Sequence, residues 1–171
     1  GFHSFLQKNR IPLESVMAKS WNKKIFKQID EQVNKASKDL AEERGACPDA
    51  AEYGYQERFS NKTAIAPTAS ISIICGGASP GVEPIAANSY THKTLSGSFN
   101  VRNRYLEEIL EGHGKNDDET WSTITTNQGS VSHLDFLTDL EKDVFKTAFE
   151  LNQQWIIELS GDRTPFISQA Q

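Results

Sequence analysis

The sequence has only two cysteines, Cys47 and Cys75, and they form no CxxC pair. None of its four histidines stands at the spacing from a cysteine or carboxylate that is typical of metal ligands. These absences argue against a disulfide-stabilised secreted protein and against a zinc site. They predict reduced thiols, a cytoplasmic location and no metal bound by this chain.

Long apolar runs and excess positive charge are also missing. No run approaches the ~20 residues that a membrane helix needs. The 18 Lys and Arg residues are outnumbered by 23 Asp and Glu, which gives a net charge of −5. We therefore expect neither a membrane nor a nucleic-acid partner. A length of 171 residues, with 37% hydrophobic and 24% charged residues, fits one domain with a single core.

A long amphipathic helix is predicted from about Glu14 to Arg44, with Gly45 at the position of a C-cap. Lys, Glu and Asp occupy its polar face. Apolar residues recur on the opposite face every three or four positions. We expect this stripe to face a core: Met17, Trp21, Ile25, Ile29, Val33, Ala36 and Leu40.

The second half of the chain predicts strands or an extended hairpin, followed by several capped helices. Alternation around Gly97 favours strands, and Asn103 can cap a helix that follows. A capping box at Thr138 and Glu141 predicts one long helix over 138–160. Its expected buried face consists of Phe145, Ala148, Phe149, Trp155, Ile156 and Leu159.

Both ends of the chain have the appearance of cuts. It opens within an amphipathic helix that carries Phe2, Phe5 and Leu6, and it stops at Gln171 without a closing element. The pattern predicts a piece of something longer.

The central stretch 63–77 predicts a strand, a turn and a helix. Thr63 to Ala66 suits a short buried strand that ends at Pro67, and small and hydroxyl residues follow. Unpaired backbone N–H groups at the helix start, with the hydroxyls of Thr68, Ser70 and Ser72, would suit a phosphate. Local physics alone favours a capped turn with no ligand, since such caps are common.

Several stretches, in the right order, resemble the large, catalytic subunit of class I ribonucleotide reductase. The strongest is the PTAS-type phosphate loop within residues 66–72 (APTASIS), and the resemblance covers essentially the whole chain. The other matching stretches are 1–5 (GFHSF), 40–45 (LAEERG), 82–84 (VEP), 88–91 (NSYT), 95–97 (LSG), 162–163 (DR), 166–167 (FI) and 169–171 (QAQ).

The resemblance implies a helix-rich α/β fold, mostly α-helical with a few strands. Residues 1–171 would form a single partial domain from the C-terminal half of the family's ten-stranded α/β barrel. The family reduces ribonucleoside diphosphates to deoxyribonucleotides for DNA synthesis by radical chemistry. The radical comes from a small, metal-containing subunit, and ATP and dNTP effectors bind elsewhere. In this chain the substrate phosphates would be held by Pro67, Thr68, Ala69, Ser70, Ile71 and Ser72.

The resemblance also implies what this chain lacks. Cys47 and Cys75 match none of the family's catalytic cysteines, so no catalytic residue is expected here and the chain alone should be inactive. Its expected partners are a ribonucleoside diphosphate, the remainder of the large subunit, the small subunit and other copies of itself. One alternative is a non-catalytic subunit from a split gene that complements an N-terminal half. Another is a helical interaction domain with no ligand.

Overall fold

The computed structural model describes residues 1–95 and 97–169. Residues 96, 170 and 171 therefore lie outside the described residues, and with them parts of the predicted 95–97 and 169–171 motifs. The chain divides into two compact units. Unit one comprises Gly1–Ala18 and Pro67–Trp155, and unit two comprises Lys19–Ala66 and Ile156–Gln171.

Helices dominate the described residues, and the prediction of a helix-rich chain with a few strands is confirmed. The elements, in chain order, are α1 (Phe2–Lys8), α2 (Val16–Arg44), α3 (Pro48–Glu52), α4 (Ala69–Ile74), β1 (Ser89–Thr94), β2 (Gly97–Arg102), α5 (Arg104–Gly112), α6 (Asp118–Thr126), α7 (Asp139–Val144), α8 (Gln153–Arg163) and a 3-10 turn (Thr164–Phe166).

The two strands form an antiparallel hairpin, one of the two arrangements that the alternation around Gly97 allowed, and β1 begins earlier than the pattern over 94–101 indicated. Ser89 lies opposite Arg102 at the open end, and Thr94 lies opposite Gly97 beside the turn. Gly97 has a φ of +143°, a value that favours glycine. The hairpin delivers the chain directly to Asn103, the cap of α5.

The hydrophobic core of unit one lies among α5, α6 and α7. Side-chain caps set where α5 and α7 begin, as the sequence predicted. Asn103 accepts a hydrogen bond from the Tyr105 N–H at 3.1 Å, and Thr138 forms the capping box with Glu141. The buried side chains of this core are Leu106, Ile109, Leu110, Trp121, Ile124, Val131, Leu134, Leu137, Val144 and Phe145.

A buried polar network centres on Asn88 in the same unit. Its Nδ2 donates to the carbonyl oxygens of Gly129 at 2.9 Å and Phe145 at 2.7 Å. Its Oδ1 accepts from Asn103 Nδ2 at 2.8 Å, and Asn103 Nδ2 also lies 3.1 Å from Gln7 Oε1. One fully buried amide thereby joins the loop before β1 to α1, to the start of α5 and to the loops after α6 and α7.

Unit two is held by buried polar contacts from α2. Asn22 is fully buried, and its Nδ2 donates to the Leu159 carbonyl in α8 at 2.8 Å. The buried Arg163 guanidinium lies 3.4 Å from Asn22 Oδ1. Farther along α2, Ser37 Oγ accepts the N–H groups of Arg58 and Phe59 at 3.1 and 3.2 Å.

The predicted burial of the α2 stripe is wrong. Met17 and Ile29 are exposed, and Trp21 is only half-buried. The fully buried positions of α2 are small or polar residues, and two of them, Asn22 and Ser37, hydrogen-bond to backbone groups of other segments. These buried residues are Ala18, Asn22, Ser37 and Ala41.

The predicted single helix over 138–160 is also wrong. α7 ends at Val144, and α8 begins only at Gln153. The chain between them leaves the helix because the Ala148 N–H donates to the Ile85 carbonyl at 2.8 Å, a contact 63 residues away in sequence. As a result, Phe149, expected in the core, is 84% exposed.

The strand predicted over Thr63 to Ala66 does not form a ladder with any described residue. The Thr63 N–H donates to Ser168 Oγ at 3.4 Å, and the Ile65 N–H donates to Gln169 Oε1 at 3.1 Å. Side-chain oxygens thus occupy the positions where carbonyls of a neighbouring strand would bond.

Gly129 allows the close approach on which the Asn88 network depends. Its φ is +80°, and a Cβ there would lie 2.3 Å from Ala87 Cβ and 2.8 Å from the Asn88 nitrogen. Gly129→Ala should therefore lower the free energy of unfolding by at least about 2 kcal/mol, through both backbone strain and overpacking. Urea denaturation of the two proteins measures this difference.

Gly112 provides the matched control in the same unit. It is the last residue of α5, and nothing lies within 4 Å of the position of an added Cβ. Gly112→Ala should leave stability unchanged or raise it by up to about 1 kcal/mol. Equal destabilisation by the two alanines would contradict this account of Gly129.

Candidate functional site

The candidate site lies at the start of α4 in unit one. Pro67 ends the preceding extended segment, and Thr68 caps the helix with φ 53° and ψ 27°. Because Ala69, Ser70 and Ile71 form the first turn, their N–H groups have no helical acceptor. No other hydrogen bond to these three N–H groups occurs within residues 1–95 and 97–169, and Thr68 makes no side-chain cap. All three residues are exposed, so these consecutive unpaired donors belong to a surface segment of the molecule.

The three hydroxyls predicted to face a phosphate differ in their partners. Thr68 Oγ1 accepts the Gly81 N–H at 2.7 Å. Ser72 Oγ donates back to the Ala69 carbonyl at 2.7 Å, so its hydrogen is already used. The exposed Ser70 hydroxyl makes no hydrogen bond within the described part of the chain. Ser70 is therefore the hydroxyl most available to a ligand.

The far end of α4 is closed by a pair of glycines. Gly76 and Gly77 have φ values of +79° and +73°. The N–H groups of Gly77 and Ala78 both donate to the Ser72 carbonyl at 3.1 Å. Such an ending satisfies the last carbonyls of a helix. The two ends of α4 therefore differ: the C-terminal carbonyls are bonded, and the N-terminal donors are open.

A turn at Pro80 and Gly81 follows α4 and contacts the start of the site, since the Gly81 N–H donates to Thr68 Oγ1. Ser79 and Ser4 exchange two buried hydrogen bonds, N–H to Oγ in each direction, at 2.7 and 3.1 Å. The Gly81 carbonyl accepts the Phe2 N–H at 2.9 Å. The turn is thus attached to α1. Only its position directly after the predicted loop could have indicated such a role.

Behind α4 lies a cleft of about 480 Å³, also within unit one. Its wall includes Ser72 and Ile73 of α4, Gln7 of α1, and Asn88 and Asn103 of the polar network. Glu83, which lies in the 82–84 motif, is exposed at this wall.

The histidines and cysteines do not form a catalytic group. His113 lies 3.1 Å from Glu141, and His133 lies 3.0 Å from Thr123 Oγ1. Cys47 is half-buried, and the exposed Cys75 is the C-cap of α4. Within the ranges that the structure describes, no group of three or more His, Cys, Asp or Glu side chains could hold a metal ion. No helix in those ranges has the length and apolar character needed to cross a bilayer.

Comparison with known protein families shows which family the chain belongs to. The profile described as "Ribonucleotide reductase, barrel domain" matches residues 1–58 and 49–171. The chain belongs to this family. The resemblance drawn from the PTAS-type loop and its neighbours is thereby confirmed.

Two curated relatives carry the same name, ribonucleoside-diphosphate reductase large subunit. The protein of invertebrate iridescent virus 3 is 44% identical over 174 residues, which cover 100% of this chain and 27% of the relative. That of invertebrate iridescent virus 6 is 46% identical over 175 residues, covering 100% of this chain and 18% of the relative. This chain therefore spans about 18% to 27% of the length of these two reductases.

A solved structure shows the same arrangement. The class Id ribonucleotide reductase alpha subunit of Actinobacillus ureae matches all of this chain and 31% of its own chain. The TM-score is 0.90 at 40% sequence identity. The fold described above is therefore that of a segment of the reductase barrel region, as the resemblance predicted.

His3, a lone histidine in the sequence, lies in the interior of unit one. It is 1% exposed, and its Nδ1 accepts the Ile85 N–H at 3.0 Å in the wall of the cleft. Burial lowers the pKa of His3 from 6.5 to about 4. Protonation would also remove the acceptor of the Ile85 N–H, so the folded state favours the neutral ring.

The pKa of His3 predicts a pH dependence of stability. Between pH 6.5 and about 4 the unfolded chain binds this proton and the folded chain does not, so stability falls as the pH falls through this window. The loss should approach about 3 kcal/mol by pH 4. Urea denaturation at a series of pH values measures it.

His3→Asn is the control, because an Asn side-chain oxygen can accept the Ile85 N–H and does not titrate. This variant should lose less stability than the wild type across the same pH range. Parallel curves for the two proteins would show that His3 is not responsible.

Proposed function

We propose that this chain supplies the substrate-phosphate loop of a ribonucleoside-diphosphate reductase large subunit, with residues 67–72 holding the diphosphate. The observation that carries the proposal is the open first turn of α4. Three exposed, unpartnered N–H groups of Ala69, Ser70 and Ile71 stand within the PTAS-type motif of a reductase-family chain. Converging backbone donors at a helix start form a site for phosphate.

The loop would bind by hydrogen bonding and by the helix dipole. Backbone N–H groups donate to phosphate oxygens, and the positive end of α4 favours their charge. The Ser70 hydroxyl adds a side-chain donor. Pro67 fixes the backbone ahead of the turn. Because the donors are exposed, water competes with the ligand, and binding by this chain alone should be weak.

The reductive chemistry would come from outside this chain. Cys47 and Cys75 match no catalytic cysteine of the family, and the loop offers donors rather than a nucleophile or a redox group. We therefore propose that the loop positions the nucleotide and that other parts of the large subunit reduce it. The family's small subunit would supply the radical, and ATP or dNTP effectors would bind elsewhere. In this proposal the chain binds no cofactor.

Exposed apolar side chains support the need for a protein partner. Ile74 at the end of α4 and Phe149 after α7 are each 84% exposed, and Val16 and Ile157 are also exposed. Burying such side chains is favourable. We propose that the remainder of the barrel covers them in a complete reductase, and that copies of this chain cover them otherwise.

This proposal predicts self-association of the isolated chain. Light scattering after size-exclusion chromatography should give a mass above the monomer's 19.1 kDa that rises with protein concentration. Ile74→Ser with Phe149→Ser should shift the distribution toward the monomer. A wild-type chain that stays monomeric at all concentrations would contradict it.

The phosphate proposal is tested by NMR titration of the 171-residue chain with pyrophosphate and with a nucleoside diphosphate. The amide signals of Ala69, Ser70 and Ile71 should shift at millimolar ligand, since these N–H groups would donate to the phosphate. Ser70→Ala should weaken binding at least about threefold through loss of a hydrogen bond to a charged group.

Ser20→Ala is the matched control, because Ser20 is an exposed serine on α2. It should bind pyrophosphate as the wild type does. Shifts spread over the surface, with none concentrated at residues 69–71, would mean that α4 does not form the phosphate site.

A further inference from the structure

We infer that Thr68 is a positioning residue, whose side-chain oxygen holds the phosphate loop in its binding shape by accepting the Gly81 N–H. This inference rests on the proposed function, because it concerns how the same loop keeps its donors aligned. It separates Thr68 from Ser70: Ser70 would contact the ligand, and Thr68 would fix the backbone that carries the amide donors.

The backbone of Thr68 needs an external restraint. Its φ of 53° and ψ of 27° place it in the left-handed region. That region is disfavoured for L-residues, and a β-branched side chain is an outlier there. A residue in such a conformation persists only where the surrounding structure holds it. The direction of the amides in the first turn of α4 depends on this conformation, because Thr68 immediately precedes them.

The restraint is the hydrogen bond from the Gly81 N–H to Thr68 Oγ1, with a length of 2.7 Å. Gly81 is itself held on its other side, since its carbonyl accepts the Phe2 N–H at 2.9 Å. The two hydrogen bonds therefore connect Thr68, through the peptide groups of Gly81, to the start of α1.

The turn that contains Gly81 is a fixed anchor. Ser79 is 1% exposed and Ser4 is 5% exposed, and their two mutual hydrogen bonds attach the turn to α1. A Cβ on Gly1 would lie 2.1 Å from the Gly81 oxygen, which shows how closely the two segments approach. Thr68 is thus tied to a buried part of unit one, not to a mobile surface group.

Two substitutions at position 68 distinguish the effect of side-chain shape from the effect of the hydrogen bond. Valine has nearly the shape of threonine and lacks the oxygen. Serine keeps the oxygen and lacks the methyl group. If the oxygen positions the loop, Thr68→Val should bind pyrophosphate more weakly than the wild type, and Thr68→Ser should bind it nearly as well as the wild type. If Thr68 only fills space, Thr68→Val should bind better than Thr68→Ser.

The experiment measures two quantities by NMR on the 171-residue chain: hydrogen exchange of the Gly81 amide and the affinity for pyrophosphate. In Thr68→Val, the Gly81 amide should exchange at least tenfold faster, and pyrophosphate affinity should fall at least fivefold. Thr68→Ser should restore both toward the wild type. Ser70→Ala should weaken binding while leaving Gly81 exchange unchanged, which distinguishes a contact residue from a positioning residue.

Unchanged Gly81 exchange or unchanged pyrophosphate affinity in Thr68→Val would overturn the inference, as would failure of Thr68→Ser to recover either one. If Thr68→Val does not fold, Thr68→Gly replaces it, because glycine adopts this φ without strain. Gly81 protection that persists in Thr68→Gly would then overturn the inference.

The outcome is distinguishable from failure of the proposed function. If the amide signals of residues 69–71 in the wild-type chain do not shift with pyrophosphate, the proposed phosphate-binding function is wrong. In that case Gly81 exchange in Thr68→Val and Thr68→Ser would still report whether the hydrogen bond holds the turn.

Discussion

The structure of unit one depends on the buried side-chain amide of Asn88. A buried amide is costly unless its donors and acceptor are bonded, and here they are bonded to segments that the chain brings from far apart. Because Asn103 is both a partner of Asn88 and the cap of α5, the network also sets where the first core helix begins. The hairpin between these two residues is thereby held at both of its ends.

The same arrangement explains how a short helix can present open donors. α4 has 6 residues, too few to be stable alone, and none of these residues is buried. Bonds at its two ends help to hold its shape: the N–H groups of Gly76 and Gly77 donate to carbonyls of the last turn, and the Gly81 N–H donates to Thr68 Oγ1. Polar contacts rather than core packing hold the loop, so its N–H groups can stay exposed.

Sequence patterns predicted well the features that depend on neighbouring residues, and poorly those that depend on contacts between residues far apart in the chain. The caps at Asn103 and Thr138, the long α2 and the hairpin were all predictable, because each depends on residues close together in the chain. The break in the helix over 138–160 was not, since it follows from the Ile85 carbonyl taking the Ala148 N–H. The predicted burial of the α2 stripe was wrong for a similar reason. Amphipathic spacing shows which face of a helix is apolar, but not which segment covers that face.

For the candidate site, the sequence by itself determined the family and the motif at residues 66–72, because an ordered set of short motifs is a property of the chain alone. It also determined that a proline and a helix start would leave backbone donors unpaired. Only the tertiary structure decided which hydroxyl remained available. Thr68 and Gly81 are 13 residues apart, and Ser4 and Ser79 are 75 apart. Contacts at such separations depend on how the chain folds back on itself, which neither propensity nor periodicity encodes.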